Sequence, residues 1–149
     1  MLAAFSLAFA LAGCGRLGRE CRAVTATANA FIKESEQLRP RPNASPDEAV
    51  KAELATATRY EKLAADLLAL DVQSSELLPE VQSYRALAEH SAASLRAVAT
   101  AFGKGDFEAA RAKRIELDAA SRGEAPLVER INGLCGTASP DAAKPDAGP

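Results

Sequence analysis

The side chains of this chain best suited to chemistry are three cysteines and one histidine: Cys14, Cys21, Cys135 and His90. A cysteine nucleophile needs a free thiol paired with an imidazole. A di-iron carboxylate site in a helical protein needs two Glu-x-x-His motifs, and here Leu87 stands three residues before His90. A c-type haem needs Cys-x-x-Cys-His, which is absent, and the only methionine available as an axial ligand is Met1. Structural zinc asks for four Cys or His ligands and a Cu(I) site for Met with Cys; beyond the first sixteen residues only Cys21, Cys135 and His90 remain, which are too few. No Gly-x-Ser-x-Gly elbow, phosphate loop or dinucleotide fingerprint occurs; Gly103-Lys104-Gly105 reads as a turn. The carboxylate pairs Glu34/Glu36, Asp47/Glu48 and Glu76/Glu80 fall at helix ends or polar faces, where charge compensates the helix dipole. Arg111, Lys113 and Arg114, flanked by Glu108 and Glu116, suit ion pairing on an exposed face. His90 reads as a helix-surface residue. The expectation is therefore no catalytic residue, no metal, no cofactor and no enzyme.

Composition sets the class. The chain has 149 residues, 48% apolar and 26% charged, which suits one globular domain. Aromatics are 5% and Trp is absent, while alanine is frequent, a mix that favours closely packed helices over strands. A net charge of −2 argues against a nucleic-acid binder, which needs a basic face to release counterions.

The first residues carry a different signal. Leu2 to Ala12 form an apolar run broken only by Ser6. As a helix it spans about 16 Å, against roughly 20 residues for a bilayer crossing. It has the length of a signal-peptide hydrophobic region. The run ends in Leu11-Ala12-Gly13-Cys14, which resembles the lipobox of bacterial lipoproteins. No Lys or Arg precedes Arg16, a departure from the basic start of such leaders that an earlier start codon would remove. The resemblance implies cleavage before Cys14, a diacylglycerol on its thiol, and a cell-envelope location. Gly15 after the lipidated Cys implies the outer membrane. Two or three acyl chains anchor stably, where one alone is marginal. The residues by themselves also admit a buried N-terminal helix containing Cys14, or a secretory leader cut elsewhere.

Export places the chain in an oxidising compartment. With Cys14 lipidated, Cys21 and Cys135 remain as an even pair, which fits one disulfide; the alternative is two free buried thiols. Closing a loop of more than about 100 residues stabilises by roughly 4–5 kcal/mol in the chain-entropy model.

The elements that position these residues are helical. Cys21, Val24, Ala28, Phe31, Ser35 and Leu38 recur at alternating spacings of three and four, which predicts a helix over 19–38. Ser35 marks a bond to a backbone carbonyl or a thin place in the core, as does Ser91 further on. Pro40 and Pro42 stop the first helix. Ser45, Pro46 and Glu48 form a capping box that opens a second helix running to about Leu70. Its apolar face is Val50, Leu54, Ala57, Tyr60, Leu63, Ala64, Leu67 and Leu68. A third begins near Ser75 and carries Leu77, Val81, Tyr84, Ala88, Ser91, Leu95, Val98 and Phe102 to a glycine stop. A fourth starts at Asp106 with Phe107, Ala110, Ile115 and Leu117 as its apolar members. It is kinked or broken at Gly123–Pro126 and resumes through Leu127, Ile131 and Leu134.

The expected fold is all-α, an up-down-up-down four-helix bundle with a kinked or broken fourth helix. The expected organisation is a leader over 1–13, a lipidated tether over 14–18, the bundle over 19–135 and a disordered tail over 136–149. In that topology Cys21 and Cys135 meet at one end, beside the anchor. The functional expectation is a membrane-tethered interaction or structural module with an envelope protein partner. The alternative is a carrier or sensor for a small apolar ligand, in a pocket lined by Phe31, Tyr60, Tyr84 and Phe102.

Overall fold

The structure is a computed structural model that describes residues 7–38 and 45–137. Five helices and no strand occur among them: α1 (Leu7–Glu36), α2 (Pro46–Ala69), α3 (Leu78–Gly103), α4 (Phe107–Ser121) and α5 (Glu124–Thr137). The first six residues, the side chains of 7–14 (that of Cys14 included) and the tail beyond Thr137 lie outside the described residues.

Local chemistry sets the helix ends. The Ser45 hydroxyl accepts the Glu48 N–H at 3.3 Å, and the Glu48 carboxylate accepts the Ser45 N–H at 2.7 Å. Each bond satisfies an amide that the first turn leaves without a partner. These bonds hold the Glu48 carboxyl below its ordinary range, most strongly through the Ser45 backbone. Asp71 turns α2 off in the left-handed region at φ 47°, which Asp tolerates better than most residues. Gly105, at φ +73°, does the same between α3 and α4, where a side chain would be strained. Asp106 then caps α4 by accepting the Ala109 N–H at 2.9 Å.

The fourth segment is broken, as the sequence indicates, but the break sits at Arg122-Gly123 and helix resumes at Glu124. Pro126 falls inside the first turn of α5. There its missing N–H has no intrahelical role, so it starts the helix instead of ending it.

Helices α1, α2, α3 and the α4–α5 pair run up, down, up and down. Contacts between chain-distant residues establish the order. Glu20, early in α1, accepts the amides of Gln73 and Ser74 in the α2–α3 connection at 3.1 and 3.0 Å. Burial opposes ionisation of that carboxyl, but the Ser74 and Gln73 bonds and nearby Arg16 outweigh it and lower its pKa. Arg130 of α5 reaches Glu80 of α3 at 2.9 Å. Cys21 and Cys135 are joined by a disulfide with Cα atoms 5.3 Å apart, ordinary spacing for such a bridge. All of these lie at one end, here called the stapled end. Higher up, Glu34 meets Arg59 at 2.6 Å and Arg96 meets Glu61 at 2.6 Å.

The core is dense at the stapled end. Cys21, Val24, Leu63, Leu67, Leu77, Val81, Tyr84, Leu127 and Ile131 are buried together, with Leu17 and Leu134 packed against them. Several expected core positions face outward instead: Leu54, Ile115, Phe107 and Phe102 are exposed, and Leu68 is 64% exposed beside Leu67 at 2%. An apolar stripe wider than one helical face cannot all point inward when only two neighbours flank the helix. The expected tether over 14–18 is part of α1, and Leu17 packs on the core. Cys14 and Cys21 are thus separated by about 10 Å of helix, well short of the span an extended tether reaches.

Candidate functional site

The fourth seam of the bundle closes at one end only. At the stapled end α1 meets α5 through the disulfide. Towards the other end α1 and α4 hardly meet, and small side chains occupy the space where large ones would have to stand. Ser35 of α1, Ala52 and Thr56 of α2, and Ser91 of α3 fall there at core-facing positions. The result is a cleft of about 340 Å3 between four helices. Ligand sites begin at roughly 300 Å3.

The walls differ in character. Leu38, Leu95 and Leu117 provide apolar surface, and Tyr60 closes the lower side. Glu53 of α2 and Arg114 of α4 form an ion pair across the cleft, and Asp118 stands one turn after Arg114 on the same helix. Ser121 adds a hydroxyl at the rim, donating to the Asp118 carbonyl at 3.0 Å. Thr56 returns its hydroxyl to the Ala52 carbonyl at 2.8 Å, as helix-interior Thr commonly does. The Ser35 hydroxyl oxygen is shielded from solvent and has no hydrogen-bond partner among the described residues. A buried hydroxyl left unpaired costs about 1–3 kcal/mol. Ser35 and Ser91 thus mark the thin place in the core.

The four aromatics expected to line one pocket do not share a wall. Tyr60 lines the cleft, and Phe31 backs it with ring centroids 4.7 Å apart. Tyr84 is a core residue below it. Phe102 stands at the opposite end of the bundle from the staple, in an edge-on pair with Phe107 at 5.8 Å. Alternating helical spacing places a residue on a face, but not at a height where two faces separate. Glu53, Arg114 and Asp118 are cleft residues that sequence reasoning missed. Arg114 looked like a surface cation for pairing within α4. Instead Lys113 takes Glu116 at 2.7 Å, while Arg114 crosses to α2.

Below the cleft, Glu124 is half-buried at the α4–α5 break, near Tyr60 and Tyr84. Burial pushes its carboxyl pKa up. Burial first, and then the Glu124 charge, raise the Tyr60 phenol and push that of Tyr84 up to about 12. Tyr84 is therefore a neutral packing residue at physiological pH.

One carboxylate of each pair named above has a structural use: Glu34 pairs with Arg59, Glu48 caps α2, and Glu80 pairs with Arg130. His90 is exposed on α3. Among the described residues, no group of three or more His, Cys, Asp or Glu is placed to hold a metal ion, and no helix is long and apolar enough to cross a membrane. Compared with protein-family models, curated proteins and solved structures, the chain matches none. The class defined on these grounds is a disulfide-closed, all-α bundle with one open seam.

Proposed function

We propose that this is a bacterial envelope lipoprotein, held by lipid on Cys14 in the outer membrane, that acts by contact and not by catalysis. The observation that carries the reading is the apolar run ending in Leu11-Ala12-Gly13-Cys14. The disulfide supports it, because such bridges persist in exported proteins and are rare in the cytosol. Its place supports it too: about two helical turns separate Cys14 from Cys21, so lipid on Cys14 holds the dense, stapled end at the bilayer. The opposite end, with exposed Phe102 and Phe107, then faces away from that membrane as the surface offered to an envelope protein partner.

Labelled palmitate should be incorporated by the natural protein and lost in Cys14→Ser. Labelling that survives the substitution refutes the anchor. Crosslinking in the native envelope, followed by mass spectrometry, should then return one reproducible partner.

The second reading is a carrier or sensor for a small ligand held between the helices, amphipathic and not wholly apolar as the sequence led us to expect, because Glu53, Arg114 and Asp118 line one wall of the cleft. The cleft of about 340 Å3 favours it, since a bundle that acts only as a rigid post has no need of an open seam.

A further inference from the structure

We infer that the cleft takes a zwitterionic amphipath of amino-acid size, an apolar amino acid by chemical class; this rests on the carrier reading of the cleft.

Volume limits the occupant first. At about 30 Å3 per water, 340 Å3 corresponds to roughly eleven water-sized atoms. That suits a molecule such as leucine, with about nine heavy atoms. The apolar wall of Leu38, Leu95 and Leu117 suits a branched aliphatic side chain. The polar wall carries both signs of charge within one helical turn of α4, as Arg114 and Asp118, with Glu53 opposite. A guanidinium has five donors in a planar fork that matches a carboxylate, and the ion pair to Glu53 engages one of its terminal nitrogens. The remaining donors suit the α-carboxylate of the ligand. Asp118 supplies an acceptor for its ammonium group. A simple carboxylate would face two acids against one base, and a simple amine would leave the guanidinium fork unused. A zwitterion answers both.

The test is calorimetric titration of the full-length chain in detergent with L-leucine, isocaproate, isoamylamine and isoamyl alcohol. Isocaproate lacks the ammonium group, isoamylamine lacks the carboxylate, and isoamyl alcohol lacks both charges. Leucine should bind saturably and at least about tenfold more tightly than the other three, the loss expected for one charge-assisted hydrogen bond. Arg114→Gln and Asp118→Asn should each weaken leucine by a similar factor and leave isoamyl alcohol unchanged. Ser91→Leu, which fills the cleft, should abolish leucine binding while far-UV circular dichroism stays native; Ser35→Leu is the second filling variant if the first misfolds. Isoamylamine or isocaproate binding as tightly as leucine overturns the zwitterion. Leucine binding unaffected by Arg114→Gln and Asp118→Asn overturns it as well. Isoamyl alcohol bound in the absence of leucine binding also overturns it but leaves the carrier reading standing. No binding of any of the four removes both.

Discussion

Opening the Cys21–Cys135 bridge is the most informative perturbation of the fold, because its size follows from chain geometry. The two residues are 114 apart in sequence. The chain-entropy relation for a loop of that length gives about 16 cal/mol/K, or about 4.8 kcal/mol at 25 °C, as the stability removed when the loop is freed in the unfolded state. Residual native strain or unfolded-state structure lowers that figure. A bundle of roughly 120 residues unfolds with an entropy of about 0.25 kcal/mol/K, so the full effect is a fall in Tm of about 19 °C. The loss should also be local. Helix α1 rests on α2 and, through the staple, on α5, whereas α2 and α4 are each held closely by α3. Amide exchange should therefore accelerate first in α1 and α5. The assay compares the natural protein with Cys21→Ala/Cys135→Ala by thermal melting and hydrogen exchange, with reductant as a second route to the open form. A double variant melting within about 3 °C of the natural protein, with α1 still protected, would falsify the reasoning.

Two further outcomes follow from burial and charge. Leu67 and Leu68 are chemically identical neighbours, one 2% and the other 64% exposed. Leu67→Ala should cost about 2–5 kcal/mol through lost burial and a cavity, and Leu68→Ala less than about 0.5 kcal/mol; urea unfolding of the pair would refute the packing if the order reversed. Burial raises the folded-state pKa of Glu124 above its ordinary value of 4.5. Its charged form therefore opposes folding, by an amount absent below the ordinary value and fully developed once pH exceeds the raised one. Glu124→Gln should raise Tm at pH 7, with the gain shrinking as pH falls towards 4. A constant difference across that range would show that burial of the charge is not the cause.

Much of the architecture is legible from residues because its causes are local. Ser45, Pro46 and Glu48 can satisfy the first amides of a helix wherever the rest of the chain goes, so α2 starts where they stand. Gly105 permits a backbone angle that side chains resist, so α3 ends just before it. The alternating spacing from Leu77 to Val98 places that face inward over its whole length, because α3 lies against both α2 and the α4–α5 pair.

The cleft was not legible in the same way. Ser35 and Ser91 interrupt apolar stripes, and that much can be seen in the chain. Whether the gap they leave is filled depends on how far α1 and α4 lie apart, and no residue encodes a distance to a helix some 80 positions away. Arg114 could equally well have paired with a glutamate on its own helix; the position of α2 settled the matter. Leu68 and Ile115 went outward for a related reason, since a helix packed mainly against two neighbours has no third surface to cover them.

The cysteines show where the division falls. Sequence alone determined that the apolar run ends at Cys14, that two cysteines remain after it, and that an even number of helical segments brings those two to the same end of a bundle. These follow from spacing and parity, which are properties of the chain. The tertiary structure decided that Cys21 and Cys135 lie 5.3 Å apart between α1 and α5, that helix and not an extended tether joins Cys14 to Cys21, and that the seam closed by the disulfide opens between α1 and α4. Those outcomes depend on which surfaces compete for the same space, and that competition exists only once the helices are packed.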